Sequence, residues 1–128
     1  MMNDLLADTL IRIKNAGMRG LDKTIVLKNK LISEVLLKLK SEGYIEDIEN
    51  LDNNREIKIK LKYYRNQPVI KYIRKVSKGS RRIYSGSKDM LRSKFTYGLF
   101  ILSTNQGIKT NIEARKLNIG GEVLMEIF

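Results

Sequence analysis

NKLISEVLLKLKSEGYIEDIENLDNNREIKIKLKYY, residues 29–64, changes its hydrophobic period partway along. In its first part Ile32, Val35, Leu36 and Leu39 fall three and four apart, the spacing of one helix face, and Gly43 stands where a helix would stop. In its last part Ile57, Ile59 and Leu61 alternate with Lys58, Lys60 and Lys62, the period of a strand with one buried and one wet face. YIEDIEN and REIKIKLKYY flank an asparagine-rich turn at residues 51–54, which predicts an antiparallel hairpin. A helix beside a hairpin, in one short stretch, makes the chain α+β.

Working outward, Asn3 and Asp4 can cap a helix that runs through Lys14, with Leu6, Leu10, Ile13 and Gly17 in register and Gly17 and Gly20 as its end. TIVLK, residues 24–28, reads as a strand, so the first half is α-β-α-β-β. RNQP holds the single proline, Pro68, which cannot donate to a sheet ladder. It marks the expected boundary between an N-terminal lobe, residues 1–66, and a C-terminal lobe, residues 67–128.

The second lobe is expected to be mostly β with one short helix. VIKYIRKVS predicts a strand, KGSRR a basic loop, RRIYSGSKDM a short strand and turn, and GLFIL, residues 98–102, a buried strand. Thr110 and Glu113 have capping-box spacing, EARKLN makes about two turns, and Gly120-Gly121 would stop them. EVLMEIF alternates as a closing strand. The uncharged cluster Ser103-Thr104-Asn105-Gln106-Gly107 then becomes the elbow between a strand and a short basic helix.

Charge narrows the partners. Of 128 residues 25 are Lys or Arg and 14 Asp or Glu, a net charge of +11. Residues 1–64 hold 12 basic and 10 acidic side chains, whereas residues 65–128 hold 13 and 4. The second half is therefore the half that attracts a polyanion, nucleic acid first among them. With neither Cys nor His, thiolate nucleophiles, disulfides, zinc sites of the usual kind and histidine general bases are excluded. No apolar run nears the roughly 20 residues that span a bilayer. The start, MMNDLLADTLIRIKNAG, has neither the pattern of a signal peptide nor that of a transit sequence.

Neither enzyme reading is strong. Glu46, Asp47, Glu49 and Asp52 cluster in sequence, but neighbours on a strand point to opposite faces, and a wet strand edge explains them better than a metal site. Ser77-Lys78 and Ser93-Lys94 are adjacent, and adjacency does not make a dyad. Lys58, Lys60 and Lys62 suit a phosphate backbone and suit an ordinary wet sheet face equally. Arg74, Lys75, Lys78, Arg81 and Arg82 surround Tyr72 and Tyr84, a mixture that neutralises phosphates while a ring stacks. Tyr84, at a turn, is the one read as exposed; Tyr72 is assigned to the core. Short hydroxyl and amide side chains at the elbow can address ribose hydroxyls and base edges, and they are also common turn-formers.

DLLADTLIRIKNAG, EGYIEDI, VSKGSRRIY, STNQG and EARKLNIGGEV occur here in order, and by these segments the chain resembles, from end to end, small-subunit ribosomal protein number eight of bacteria and organelles. The resemblance implies a two-lobed, non-catalytic α+β protein that binds directly to a stem in the central domain of small-subunit ribosomal RNA and joins early in subunit assembly. The partners implied are that RNA and neighbouring small-subunit ribosomal proteins, with no cofactor, metal, membrane or small-molecule substrate. By position, the RNA-binding residues implied are Ser103, Thr104, Asn105, Gly107, Tyr84, Glu122 and Lys30, with Arg81 and Arg82 added from the basic loop. The family's elbow reads Ser-Thr-Ser-Lys-Gly; here Asn105 and Gln106 stand in its third and fourth places, removing one charge. The abundance of Ile, Lys and Asn suits an AT-rich gene, so a ribosome in a plastid (chloroplast) is expected ahead of a mitochondrial or bacterial one.

Overall fold

The computed structural model describes residues 4–128, and the expected Asn3 cap lies outside them. The chain divides into two compact units, residues 5–71 and residues 72–128, the second also taking in Asp4.

The first unit runs α1 (Leu5–Met18), β1 (Lys23–Leu27), α2 (Lys30–Ser41), β2 (Ile45–Asn50), β3 (Glu56–Leu61), β4 (Tyr63–Tyr64) and β5 (Gln67–Pro68). Its main sheet is antiparallel with order β1-β3-β2, so the alternating strand is the central one. Ile57, Ile59 and Leu61 are buried, as are Leu6, Leu10 and Ile13 of α1 and Ile32, Val35, Leu36 and Leu39 of α2. On the wet face Lys58 lies between Ile25 and Glu49 and pairs with the Glu49 carboxylate at 3.0 Å. Lys60 lies between Lys23 and Asp47. Two of the three lysines therefore face a carboxylate across the sheet, the arrangement of a solvated face. α1 continues through Gly17 to Met18, and Gly20, at φ +69, follows its end. RNQP is itself part of a tight hairpin: Tyr63 pairs with Pro68, and Arg65 and Asn66 both take positive φ, as the primed two-residue turn requires.

The second unit contains β6 (Ile73–Lys75), β7 (Tyr84–Ser85), β8 (Leu99–Thr104), β9 (Gly107–Thr110), α3 (Asn111–Leu117) and β10 (Gly121–Ile127). Its sheet has the order β6-β10-β8-β9, with β7 also on β10, and every pairing is antiparallel. The VIKYIRKVS strand shrinks to Ile73–Lys75. β8 is buried from Leu99 to Leu102, as the GLFIL run predicts.

Three expectations need correction. The elbow does not lead straight from strand to helix: it is the tip of a β8–β9 hairpin in which Thr104 pairs with Gly107, and α3 follows β9. The closing strand does not alternate, because β10 is central and buried on both faces from Val123 to Ile127, with a bulge between Val123 and Met125. Gly120 and Gly121 do not stop α3. Asn118, left-handed at φ 58, does that, and the glycines instead let β10 enter between two backbones. A Cβ on Gly120 would stand 2.5 Å from the Ser85 carbonyl oxygen, and one on Gly121 2.3 Å from that of Ser103.

Candidate nucleic-acid interface

The register of three pairings builds the site. Tyr84 of β7 pairs with Glu122 of β10, Glu122 pairs with Ser103 of β8, and Ser103 pairs with Ile108 of β9. Directly paired residues share a face, so residues distant in sequence form one row across four strands. Tyr84 is 68% exposed, its ring free to meet a partner, while Glu122 and Ser103 are half-buried. Arg82 reaches into the row: its Nη1 donates to both carboxylate oxygens of Glu122, each at 3.2 Å. The guanidinium thus holds the carboxylate in place beside Tyr84 and Ser103.

One residue on, the pleat turns Thr104 to the opposite face, where it pairs with Gly121. Its hydroxyl is engaged in the turn, donating to the Gly107 carbonyl at 2.7 Å and accepting from the Gln106 amide at 3.1 Å. Thr104 shapes the tip. Asn105 and Gln106 are exposed there, and Gly107 takes φ +98, a conformation that side chains resist. Behind the tip the capping box is formed: Glu113 N–H donates to Thr110 Oγ1 at 3.0 Å, and Thr110 N–H donates to Glu113 Oε1 at 2.9 Å.

The basic loop is held at its base by Ser77. Its buried hydroxyl accepts from the Ile83 amide at 2.9 Å and donates to the Ile83 carbonyl at 3.2 Å. At its tip Lys78 and Arg81 exchange two backbone hydrogen bonds, so Arg81 is presented outward from a tight turn while Arg82 runs back to Glu122. Tyr72 is half-buried, its ring 4.8 Å from that of Phe95, which stacks in turn on Phe128. Lys30 belongs to the other unit. It is exposed at the first position of α2, whose N-cap Asn29 accepts from the Ile32 amide at 2.8 Å. The first turn of α2 carries no acidic residue, so a cation stands where the helix dipole would favour an anion.

Two polar residues inside this unit were not singled out from sequence. Asn111 is buried, its amide accepting from Phe100 N–H at 3.1 Å and donating to the Leu91 carbonyl at 3.0 Å. Glu126, only 2% exposed, accepts from Arg74 Nε at 2.9 Å and from Ser93 Oγ at 2.8 Å. The available signal for Glu126 was a single charge inside LMEIF, a run too apolar for a wet face. Of the serines that precede a lysine, Ser77 and Ser93 have hydroxyls engaged in structure. Among the described residues no group of three acidic side chains comes together as a metal site, and no helix is long and apolar enough to cross a membrane.

A basic chain whose tyrosine, arginine and short hydrogen-bonding side chains meet along one sheet rim has the make-up of a nucleic-acid-binding protein. Comparison with known proteins narrows the class. The ribosomal protein S8 family matches residues 4–128. Similar chains named small ribosomal subunit protein uS8 include those of Nautilia profundicola, 45% identical, and Campylobacter lari, 41% identical, with all of this chain and all of the relative covered in both. That of Hyphomonas neptunium is 43% identical over 99% of this chain and 98% of its own. The chain belongs to the ribosomal protein S8 family, a structural family of the small ribosomal subunit and not an enzymatic one.

Proposed function

We propose that this protein binds directly to a stem in the central domain of small-subunit ribosomal RNA and supports assembly of the subunit. The observation that carries the proposal is the row Tyr84–Glu122–Ser103, with the β8–β9 tip beside it. An A-form stem offers a wide, shallow minor groove lined with 2′-hydroxyls and base edges. Ser103 and Asn105 can donate and accept there, and Gly107 lets the backbone approach. Glu122 accepts from a base amino group, and Tyr84 packs on an exposed base or sugar. Arg81 and Lys30 neutralise phosphates. Arg82 serves the carboxylate, and Thr104 serves the tip. The row carries selectivity and the excess cations carry pull.

The neighbours in such a subunit include other small-subunit ribosomal proteins. The compartment we propose is the plastid, on the Lys-, Ile- and Asn-rich composition; the relatives named above are bacterial, so the ribosome is of bacterial type on either view. Co-sedimentation tests the function: the tagged protein should travel with small subunits at moderate salt, and isolation of plastid and bulk ribosomes from the same cells tests the compartment. A gel competition that favours duplex DNA over the folded RNA stem would overturn the proposal.

A further inference from the structure

Apart from the row, the second unit has a groove of about 640 Å³ between the loop at residues 90–98 and α3. Met90, Leu91, Phe95 and Ile112 contribute apolar surface, with Leu91 37% and Ile112 50% exposed. Arg92, Arg115 and Lys116 stand around it, all exposed, and no acidic side chain lines it. Among the described residues these three cations pair with no carboxylate.

Two polar side chains of the lining already have partners within the fold. Asn111 uses both ends of its amide on Phe100 and Leu91, and the Ser93 hydroxyl donates to Glu126 and accepts from the Phe95 amide. A nucleobase pushed against the apolar patch of Leu91, Phe95 and Ile112 would leave its ring nitrogens and amino groups without partners, which costs binding energy. A leucine or phenylalanine side chain brings no such groups. From the apolar lining and the unpaired cations we infer that this groove docks an acidic peptide segment, seating an apolar side chain against Leu91 and Ile112 and its carboxylates on Arg92, Arg115 and Lys116. Charge complementarity selects the occupant, since the surrounding cations have no internal partners to compete with it. The inference does not depend on the RNA-binding proposal.

The test uses the full chain and a fluorescein-labelled peptide with Leu-Phe at its centre and Asp and Glu on both sides. Polarisation should show saturable binding, weakened about tenfold or more by Arg115→Glu with Lys116→Glu. Ile112→Ser should weaken it while leaving the charges intact, and a probe with Ser-Ser in place of Leu-Phe should bind at least as poorly. Circular dichroism of each variant should match the parent, and Ile112→Ser should leave binding of the ribosomal stem unchanged. Absence of binding, equal binding by the charge-reversed variant, or equal binding of the Ser-Ser probe would overturn the inference. So would oligouridylate that displaces the peptide and loses its own binding in the same variant, since the groove would then be a single-strand RNA site.

Discussion

A methyl group on Gly121 would sit 2.3 Å from a backbone oxygen of the neighbouring strand, and backbone cannot yield as a side chain tip can. Gly121→Ala should therefore destabilise the second unit by about 2–3 kcal/mol, measured by urea unfolding. It should also weaken RNA binding, because β10 carries Glu122. Glu126→Ala should cost about 2–3 kcal/mol through the loss of two hydrogen bonds to a buried carboxylate, and Glu126→Gln less, because Gln can still accept from Ser93. These residues mark where sequence reasoning stops. A Gly-Gly pair after a short helix has the same appearance whether it ends the helix or admits a strand between two others, and only the sheet order separates the cases. Glu126 was read as one member of an alternating strand because burial on both faces depends on β6, β7 and β8, which come from distant segments.

At the scale of elements, local signals were legible where they satisfy themselves within a few residues. The capping box at Thr110 and the hairpin between β2 and β3 formed as their spacing predicts. β9 was missed, for GIKT is four residues long and its pairing with β8 depends on a tip whose turn chemistry looks the same in a plain loop. Thr104→Val removes both hydroxyl bonds of that tip. It should lower stability by about 1 kcal/mol and weaken stem binding more than Thr104→Ser, read by calorimetry and gel shift. In the first unit the Lys40 ammonium and the Ile48 amide hold the exposed Asp47 carboxyl below its usual range. Its contribution to stability is therefore present above the ordinary carboxylate pKa and lost as pH falls through the lowered folded value. Carboxyl-carbon NMR should show Asp47 titrating below the ordinary range of a free aspartate, and Lys40→Met should raise it.

Across the whole molecule the sequence already showed where positive charge gathers, since residues 65–128 hold 13 basic and 4 acidic side chains. It could not show how the residues of the row come together. Tyr84 and Ser103 stood out by their surroundings in the sequence and Glu122 by resemblance, and their meeting in one row depends on the register of β7, β10 and β8. Neighbouring Ser103 and Thr104, grouped in sequence, are parted by the pleat. The central claim is that the row selects and the cations attract. Its most direct measurement is the affinity of Tyr84→Ala with Ser103→Ala for the central-domain stem and for a random RNA duplex of equal length, at two salt concentrations. The account predicts a loss of about tenfold or more on the stem with little loss on the duplex, and an unchanged salt slope on both. Equal losses on the two RNAs, or a shallower salt slope in the variant, would contradict it.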